Sequence, residues 1–481
     1  MNDAVVAELR DVLGPDNVHL GRSELGLYAR DASNISGCAG AVCFVHSTAE
    51  VQAAVRACHR HRVPFVARGS GTGLAGGATP LGGAVVICTT RMNRILSVDV
   101  DQRTAWVEPG VLNLDLTRAV ARYGLHFAPD PSSQQSCSIG GNVANNSGGP
   151  HCLADGVTAQ HVVGLEVVLG DGSVVEFNGE TPDADGFDLR GAFVGSEGMF
   201  GIATRICVRL TQNPPVVRTL LLDYATVQQG TDTVSTIIAS GMVPAALEMM
   251  DRLCLQAVEA FVGAGLPTDA AVALLVEVAG SPAQVESEVA RITAIGRSFS
   301  ARTIRVAADE AERALLWKAR KNAFGAIARI KPNYYLHDTV VPRHRLTEVL
   351  NEVYAIAARH DLQVLNVFHA GDGNLHPLLI FDQRDPGIME RVHAAGAEII
   401  AVSIAAGGVL SGEHGIGLEK RDFMSLMFRP ADLNAQQRMR VAFDPDGLAN
   451  PTKVLPRPAS CGEHPSDGPS MIDETNDGPW I

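Results

Sequence analysis

Phe65-Val66-Ala67-Arg68-Gly69-Ser70-Gly71-Thr72-Gly73-Leu74-Ala75-Gly76-Gly77 sets a short apolar run against a loop of glycines and hydroxyls. The run reads as a strand, and the loop after it can turn several backbone N–H groups toward one point, which suits a phosphate. Gly71, Gly73 and Gly76 satisfy GxGxxG, the dinucleotide fingerprint of a Rossmann fold. That fingerprint needs a helix directly after the loop. Gly77, Pro80, Gly82 and Gly83 follow instead, all poor helix residues. The loop is therefore a phosphate cradle of another fold or a glycine turn with no ligand.

Outward from the loop, Ser47 and Glu50 form a capping-box pattern, and Val51, Ala54, Val55 and Cys58 keep helical spacing, so a helix over 47–63 precedes the strand. Strand-like runs follow at 84–88, 95–100 and 105–107, and 165–177 reads as a hairpin turning at Gly170-Asp171-Gly172. Asn213-Pro214-Pro215 interrupts both periodicities and predicts a domain boundary. Beyond it the expected elements are strands at 218–224, 272–278, 339–341, 364–369 and 375–381, with helices at 227–240, 251–262, 282–295, 309–329, 346–360 and 388–406. This order suggests an α+β lobe built from a split βαβ pair. From Pro456 the chain loses periodicity and reads as a mobile tail, giving domains 1–214, 215–455 and a tail 456–481.

The 481 residues are too many for one core and carry a net charge of −14, which disfavours a phosphate backbone as partner. The N-terminus lacks a basic region before an apolar core, and no apolar run reaches spanning length, so a cytoplasmic location without a transmembrane segment is expected. Nine scattered cysteines without a CxxC pair read as reduced core thiols and argue against an iron-sulfur cluster in this chain.

Two further stretches bear on the loop. Pro129-Asp130-Pro131-Ser132-Ser133 and Ser138-Ile139-Gly140-Gly141-Asn142-Val143-Ala144-Asn145-Asn146-Ser147-Gly148-Gly149 combine close-approach glycines with amides and hydroxyls able to serve a heterocycle. Gly195-Ser196-Glu197-Gly198-Met199-Phe200-Gly201-Ile202 adds a third such turn. In this order and spacing the three segments resemble the FAD-binding domain of the vanillyl-alcohol oxidase and PCMH flavoprotein superfamily. The resemblance implies that Arg68, Gly69, Ser70, Gly71, Thr72, Gly73 and Leu74 hold the phosphates. It places Pro131, Ser132, Gly140, Gly141, Asn142, Asn145, Gly201 and Ile202 along the flavin. Relatives that tether FAD do so through a histidine in the first loop; this loop has none, which implies non-covalent FAD.

Farther along, Phe368-His369-Ala370-Gly371-Asp372-Gly373-Asn374-Leu375-His376 sets two imidazoles about a turn, and Ser411-Gly412-Glu413-His414-Gly415-Ile416-Gly417 sets a carboxylate beside a third. His369, His376 and Glu413 make a two-histidine, one-carboxylate set suited to a catalytic divalent metal, with His414 free for proton transfer. A hydrogen-bonded polar loop without metal satisfies the same spacing. Such a donor set suits zinc, manganese, iron or cobalt, with zinc or manganese expected first.

GDGNxH followed by SGEHGIG resembles the FAD-linked D-2-hydroxy-acid dehydrogenases. PDPSSQ, SIGGNVA, GGPHCL, LEMMD, WKARKNAF, NVFHAGDGN and AFDPDGL resemble the bacterial glycolate oxidase branch of that family, from about Leu9 to Leu455. The resemblance implies a PCMH-type two-subdomain FAD domain, a ferredoxin-like-repeat cap and a C-terminal segment returning to the FAD domain. It implies oxidation of a small 2-hydroxy monocarboxylate, glycolate or D-lactate. Within Trp317-Lys318-Ala319-Arg320-Lys321, Arg320 inherits the grip on the substrate carboxylate, the rival being a solvated basic helix face. Relatives acting on dicarboxylates carry a lysine at the position of Leu336 and an asparagine at that of Leu378. Iron-sulfur and second flavoprotein subunits become the expected electron acceptors, with peripheral membrane association through them. Two rival readings are a non-catalytic flavin-binding subunit and a non-redox transferase on the same fold.

Overall fold

A computed structural model describes residues 3–179 and 186–456; the predicted tail beyond Pro456 lies outside them. Its first layer is a four-stranded sheet in the order Val18–His19, Ala39–Phe44, Ala84–Cys88, Phe65–Arg68, the last three parallel. The helix Thr48–Arg60 crosses between strands, started by Ser47, whose hydroxyl accepts from the Glu50 amide. Glu50 turns its own carboxylate to the His46 amide, so the predicted capping box closes one residue early. Val51, Ala54, Val55 and Cys58 are fully buried against Val85, Ile87 and Phe65, the face that the helical spacing requires.

A second, antiparallel sheet runs Ile95–Asp99, Thr104–Val107, Ile202–Arg209, Val162–Val168, Val174–Phe177 and includes the predicted hairpin. No helix follows the glycine loop, and residues 69–83 stay irregular. The loop thus opens into the space between the two sheets.

From Val216 the chain builds a nine-stranded antiparallel sheet. Its first half orders the strands Thr303–Val306, Val216–Tyr224, Val272–Gly280, Ala246–Asp251, the fourth-first-third-second order of a ferredoxin-like unit. A second unit continues with Gln363–His369, Pro377–Phe381 and Asn333–Leu336. Among the described residues its fourth strand shrinks to an isolated bridge, Val340–Val409. Helices Val227–Ala239, Pro282–Ser298, Leu346–Arg359 and Ile388–Ala405 cover one face. Helices Arg252–Val262, Glu310–Lys321 and Ala323–Ile327 cover the other.

Three local expectations change. The strand Ala246–Asp251 is absent from the sequence reading because it is buried on both faces: Leu247 and Met249 enter one core, Ala246 and Met250 the other. No alternation survives to mark it. The short strands Thr303–Val306 and Asn333–Leu336 were also not expected. The helix expected over 309–329 breaks at Asn322, whose side chain donates back to the Lys318 carbonyl at 2.8 Å and caps the first piece.

After the helix Pro430–Phe443 the chain returns to the first layer. Phe65 donates its amide to the Leu448 carbonyl and accepts from the Asn450 amide, so Ala449 extends the sheet edge beside Phe65. Phe443 stacks on Phe200 at 4.5 Å, and the buried Lys453 donates to the Thr79 carbonyl at 2.7 Å.

The two halves are also bound by charge. His151, beside the loop 129–149, meets Asp130 at 2.9 Å through Nδ1 and Glu277 of the strand Val272–Gly280 at 3.3 Å through Nε2. Arg313 grips Glu277 with two bonds of 3.0 Å, and Trp317 donates to the same carboxylate while its ring lies 5.3 Å from His151. Burial opposes charge on His151, yet Asp130 and Glu277 outweigh it and hold the imidazole up to about 10. The usual value is about 6.5, so the interaction stabilises fully below that pH and is lost as pH rises through about 10. The melting temperature of the parent protein should therefore fall between pH 6.5 and 10 more steeply than that of His151→Gln. At pH 7, His151→Ala should cost about 3 kcal/mol, the scale of removing one partner from a buried pair. Parallel melting curves across that range would remove His151 from the contact.

Candidate active site

A cavity of about 510 Å³ lies between the two halves. Its floor is the glycine loop: Arg68, Gly69, Ser70, Gly71, Thr72, Gly73 and Leu74 all line it. Among the described residues, no protein acceptor takes the backbone N–H of residues 70–77, which leaves them for an anion. A Cβ on Gly69 would lie 2.3 Å from Ser138 Oγ, the cap of the helix Ile139–Asn145, so only glycine lets loop and helix end meet. Pro131, Ser132, Gly140, Gly141, Asn142, Asn145, Gly201 and Ile202 line the same cavity. Arg68 is partly spoken for: its guanidinium donates to the Arg30 carbonyl at 2.8 Å and lies over Tyr28.

His376, Glu413 and His414 line the same cavity. His369 Nε2 lies 3.2 Å and His376 Nε2 3.6 Å from Glu413 Oε1, and one atom from each of these residues falls within 4.8 Å of the others. Both His376 ring nitrogens are buried without a hydrogen-bond partner, an arrangement that costs energy unless something occupies the point where the three converge. A divalent cation fits that donor set. His414 stacks on His376 at 5.1 Å, with Nδ1 3.9 Å from Asp338 and Nε2 3.9 Å from Glu413. Burial lowers its imidazole to about 4. Burial also opposes charge on His369, but Glu248 and Glu413 outweigh it and hold that imidazole up to about 10.

Asp338 shapes the Glu413 turn. Wholly buried, it accepts from the Ser411 hydroxyl at 2.6 Å and from the amides of Gly412, Glu413 and His414 at 2.9 to 3.2 Å. Lys420 Nζ lies 3.5 Å away. Burial alone would raise this carboxyl; Lys420 and the imidazoles bring it well below the usual range. The turn then presses on the glycine loop: a Cβ on Gly417, whose φ is +52°, would lie 2.0 Å from the Ala75 carbonyl oxygen. Glu197, from the third predicted turn, accepts the amides of Ile416 and Gly417 at 2.7 and 2.8 Å.

Arg320 is not on a solvated helix face. It is 1% exposed and bound to Glu248 through Nε at 2.7 Å and Nη2 at 2.5 Å, while Nη1 has no partner. It joins the cluster through Glu248 and does not line the cavity directly; Lys321, next in the chain, does. Leu336 lines the cavity with Leu74, Phe324 and Tyr334, and it is the cross-strand partner of Leu378. Leu336 and Leu378 are therefore neighbours in space.

Glu248, Glu197, His151 and Lys321 escaped the sequence reading as functional residues. Glu248 left one trace, an acid inside the otherwise apolar run Ala246-Leu247-Glu248-Met249-Met250.

Residues 213–454 match the family described as FAD linked oxidases, C-terminal domain, and residues 39–178 match the FAD binding domain. The chain is 45% identical to glycolate oxidase subunit GlcD of Escherichia coli K12 over 414 residues, 86% of this chain and 83% of that one. It is 39% identical to glycolate oxidase subunit GlcD of Bacillus subtilis 168, over 95% of this chain and 97% of the relative. Among solved structures, p-cresol methylhydroxylase with substrate bound superposes with a TM-score of 0.78 at 17% identity, covering 93% of this chain and 96% of that one. The fold is thus the two-domain PCMH type that the three glycine-rich turns implied.

Proposed function

The chain belongs to the FAD linked oxidases, and from that premise we propose that it oxidises a small D-2-hydroxy monocarboxylate, glycolate or D-lactate, to the 2-oxo acid with the help of a divalent cation, zinc or manganese. At the coarser level it is an FAD-dependent hydroxy-acid oxidoreductase. What supports the finer reading is that the glycine cradle and the His376, Glu413, His414 group line one cavity.

When bound, FAD supplies a hydride acceptor, and a cation among His369, His376 and Glu413 supplies Lewis acidity toward a hydroxyl. The chain's own residues do the rest. His414 takes the hydroxyl proton at Nε2, and Asp338, 3.9 Å from Nδ1, favours the imidazolium that results. Arg320 does not itself line the cavity, so the grip on the substrate carboxylate that the resemblance implies would have to be made through Nη1, its one buried donor without a partner. Leu74, Phe324, Tyr334 and Leu336 form an apolar wall that suits a small substituent at C2 and excludes water. The phosphate loop carries no histidine, so FAD is read as held without a covalent link.

The two relatives are named as subunits, and we read this chain likewise as passing electrons to partner subunits, an iron-sulfur protein and a second flavoprotein, in the cytoplasm or at a membrane surface. Among the described residues no helix is long and apolar enough to cross a membrane.

The test is anaerobic mixing of the purified protein with glycolate, D-lactate and L-lactate while the visible flavin band is followed. Glycolate or D-lactate should bleach it and L-lactate should not; chelation should slow bleaching and zinc or manganese restore it. Colour retained with all three acids would overturn the reading in favour of a flavin-binding subunit or a non-redox transferase. In the same assay His414→Ala should keep its flavin and lose about two to four orders of magnitude in reduction rate, the usual worth of a proton-transfer group.

Substrate size is tested at the apolar wall. Leu336→Lys would extend an ammonium into the cavity and should raise the ratio of kcat/KM for D-2-hydroxyglutarate to that for D-lactate by about tenfold or more, the factor supplied by one charge-assisted hydrogen bond of about 1.5 kcal/mol. An unchanged ratio would remove Leu336 from specificity.

A further inference from the structure

We propose that Glu248 is a positioning residue, one carboxylate that sets both His369 and Arg320, an inference that rests on the cation reading given above. Glu248 sits on the strand Ala246–Asp251, in register opposite His369, and is 0% exposed. A carboxylate so placed must have its oxygens met by donors. Oε1 accepts from His369 Nδ1 at 2.7 Å; Oε2 accepts from Arg320 Nε at 2.7 Å and Nη2 at 2.5 Å.

Two consequences follow from the fact that an ionised carboxylate only accepts hydrogen bonds. The proton of a neutral His369 must sit on Nδ1. Nε2 is then the nitrogen with the lone pair, and it is Nε2 that faces Glu413 Oε1 at 3.2 Å. Arg320 in turn is held along its Nε and Nη2 edge, so Nη1 alone is left over, and Nη1 is the buried atom without a partner. One side chain thereby chooses the tautomer of a cation ligand and the free edge of a guanidinium.

A glutamine cannot replace it. Its single carbonyl oxygen can serve His369 or Arg320, and its NH₂ would then face an N–H of the other. A merely structural ion pair would hold the fold without governing cation affinity, so affinity is the discriminating measurement. The flavoprotein, stripped by chelation, is titrated with zinc by calorimetry. Glu248→Gln should keep its flavin and bind zinc about ten- to a hundredfold more weakly than the parent, the range for loss of such a supporting partner. A second measurement needs no change at Glu248. In the zinc-loaded parent labelled with ¹⁵N-histidine, His369, assigned by comparison with His369→Gln, should carry its proton on Nδ1 and be metallated through Nε2. Zinc affinity of Glu248→Gln within twofold of the parent, or metallation of His369 through Nδ1, overturns the role of Glu248 while leaving the cation reading intact. A parent protein that binds no zinc overturns the cation reading and this inference with it.

Discussion

The burial of Asp338 is the constraint from which the site follows. An ionised carboxylate removed from water is costly by several kcal/mol unless its oxygens are satisfied. Here the turn 411–414 does so with one hydroxyl and three consecutive amides, helped by Lys420. Amides can converge on one oxygen only if the backbone curls around it, so satisfying Asp338 determines the conformation of the turn. Glu413 and His414 are carried on that curl, and their side chains have little choice but to face His376 and the cavity. The glycines on either side answer a different demand: Gly412 lies against Asn374, and Gly417 against the Ala75 carbonyl, at distances a Cβ could not share.

The helix Glu310–Lys321 makes a comparable use of charge over a longer span. Arg313 and Arg320 stand seven residues, two turns, apart, on one face of the helix. The first pairs with Glu277 and the second with Glu248, on neighbouring strands of the sheet. Trp317 fills the turn between them and touches His151 of the other half. Lys321 then reaches Gln134 and Asp130 beside the cavity. One helix face therefore ties the sheet, the cluster around His369 and Glu413, and the loop 129–149 together, and displacement of the helix would disturb all three.

How much of this was legible depended on whether a residue's role is local. The cradle was legible because glycines serve the backbone beside them, and the Rossmann reading failed for an equally local reason, the want of a helix after Gly77. His369, His376, Glu413 and His414 were legible as two short motifs, and the structure brings them together across 44 residues between His369 and Glu413. Glu248 was not, because its partners lie 72 and 121 residues away. Nothing near it distinguishes a positioning carboxylate from a strand-edge acid. Arg320 was found only through resemblance; its neighbours Lys318 and Lys321 make the helix look like a solvated basic face, and burial, which decides the matter, has no local mark.

The electrostatics of the cluster bear on what occupies it. Two buried carboxylates, Glu248 and Asp338, and the partly buried Glu413 face two buried fixed cations, Arg320 and Lys420. Three against two leaves a negative excess that water screens only weakly. Burial pushes the nearby Asp372 carboxyl up to about 6, which still leaves it mostly ionised at neutral pH and adds to the negative side. In the protein alone the remaining deficit falls on His369, which explains an imidazole held up against its own burial. A proton on Nε2 and a cation at the same nitrogen exclude each other. The excess of carboxylates favours positive charge where His369, His376 and Glu413 meet, which supports the proposed cation. The proposed divalent ion would bring more of that charge than a proton does, and would also engage a His376 nitrogen that a proton on His369 leaves unsatisfied.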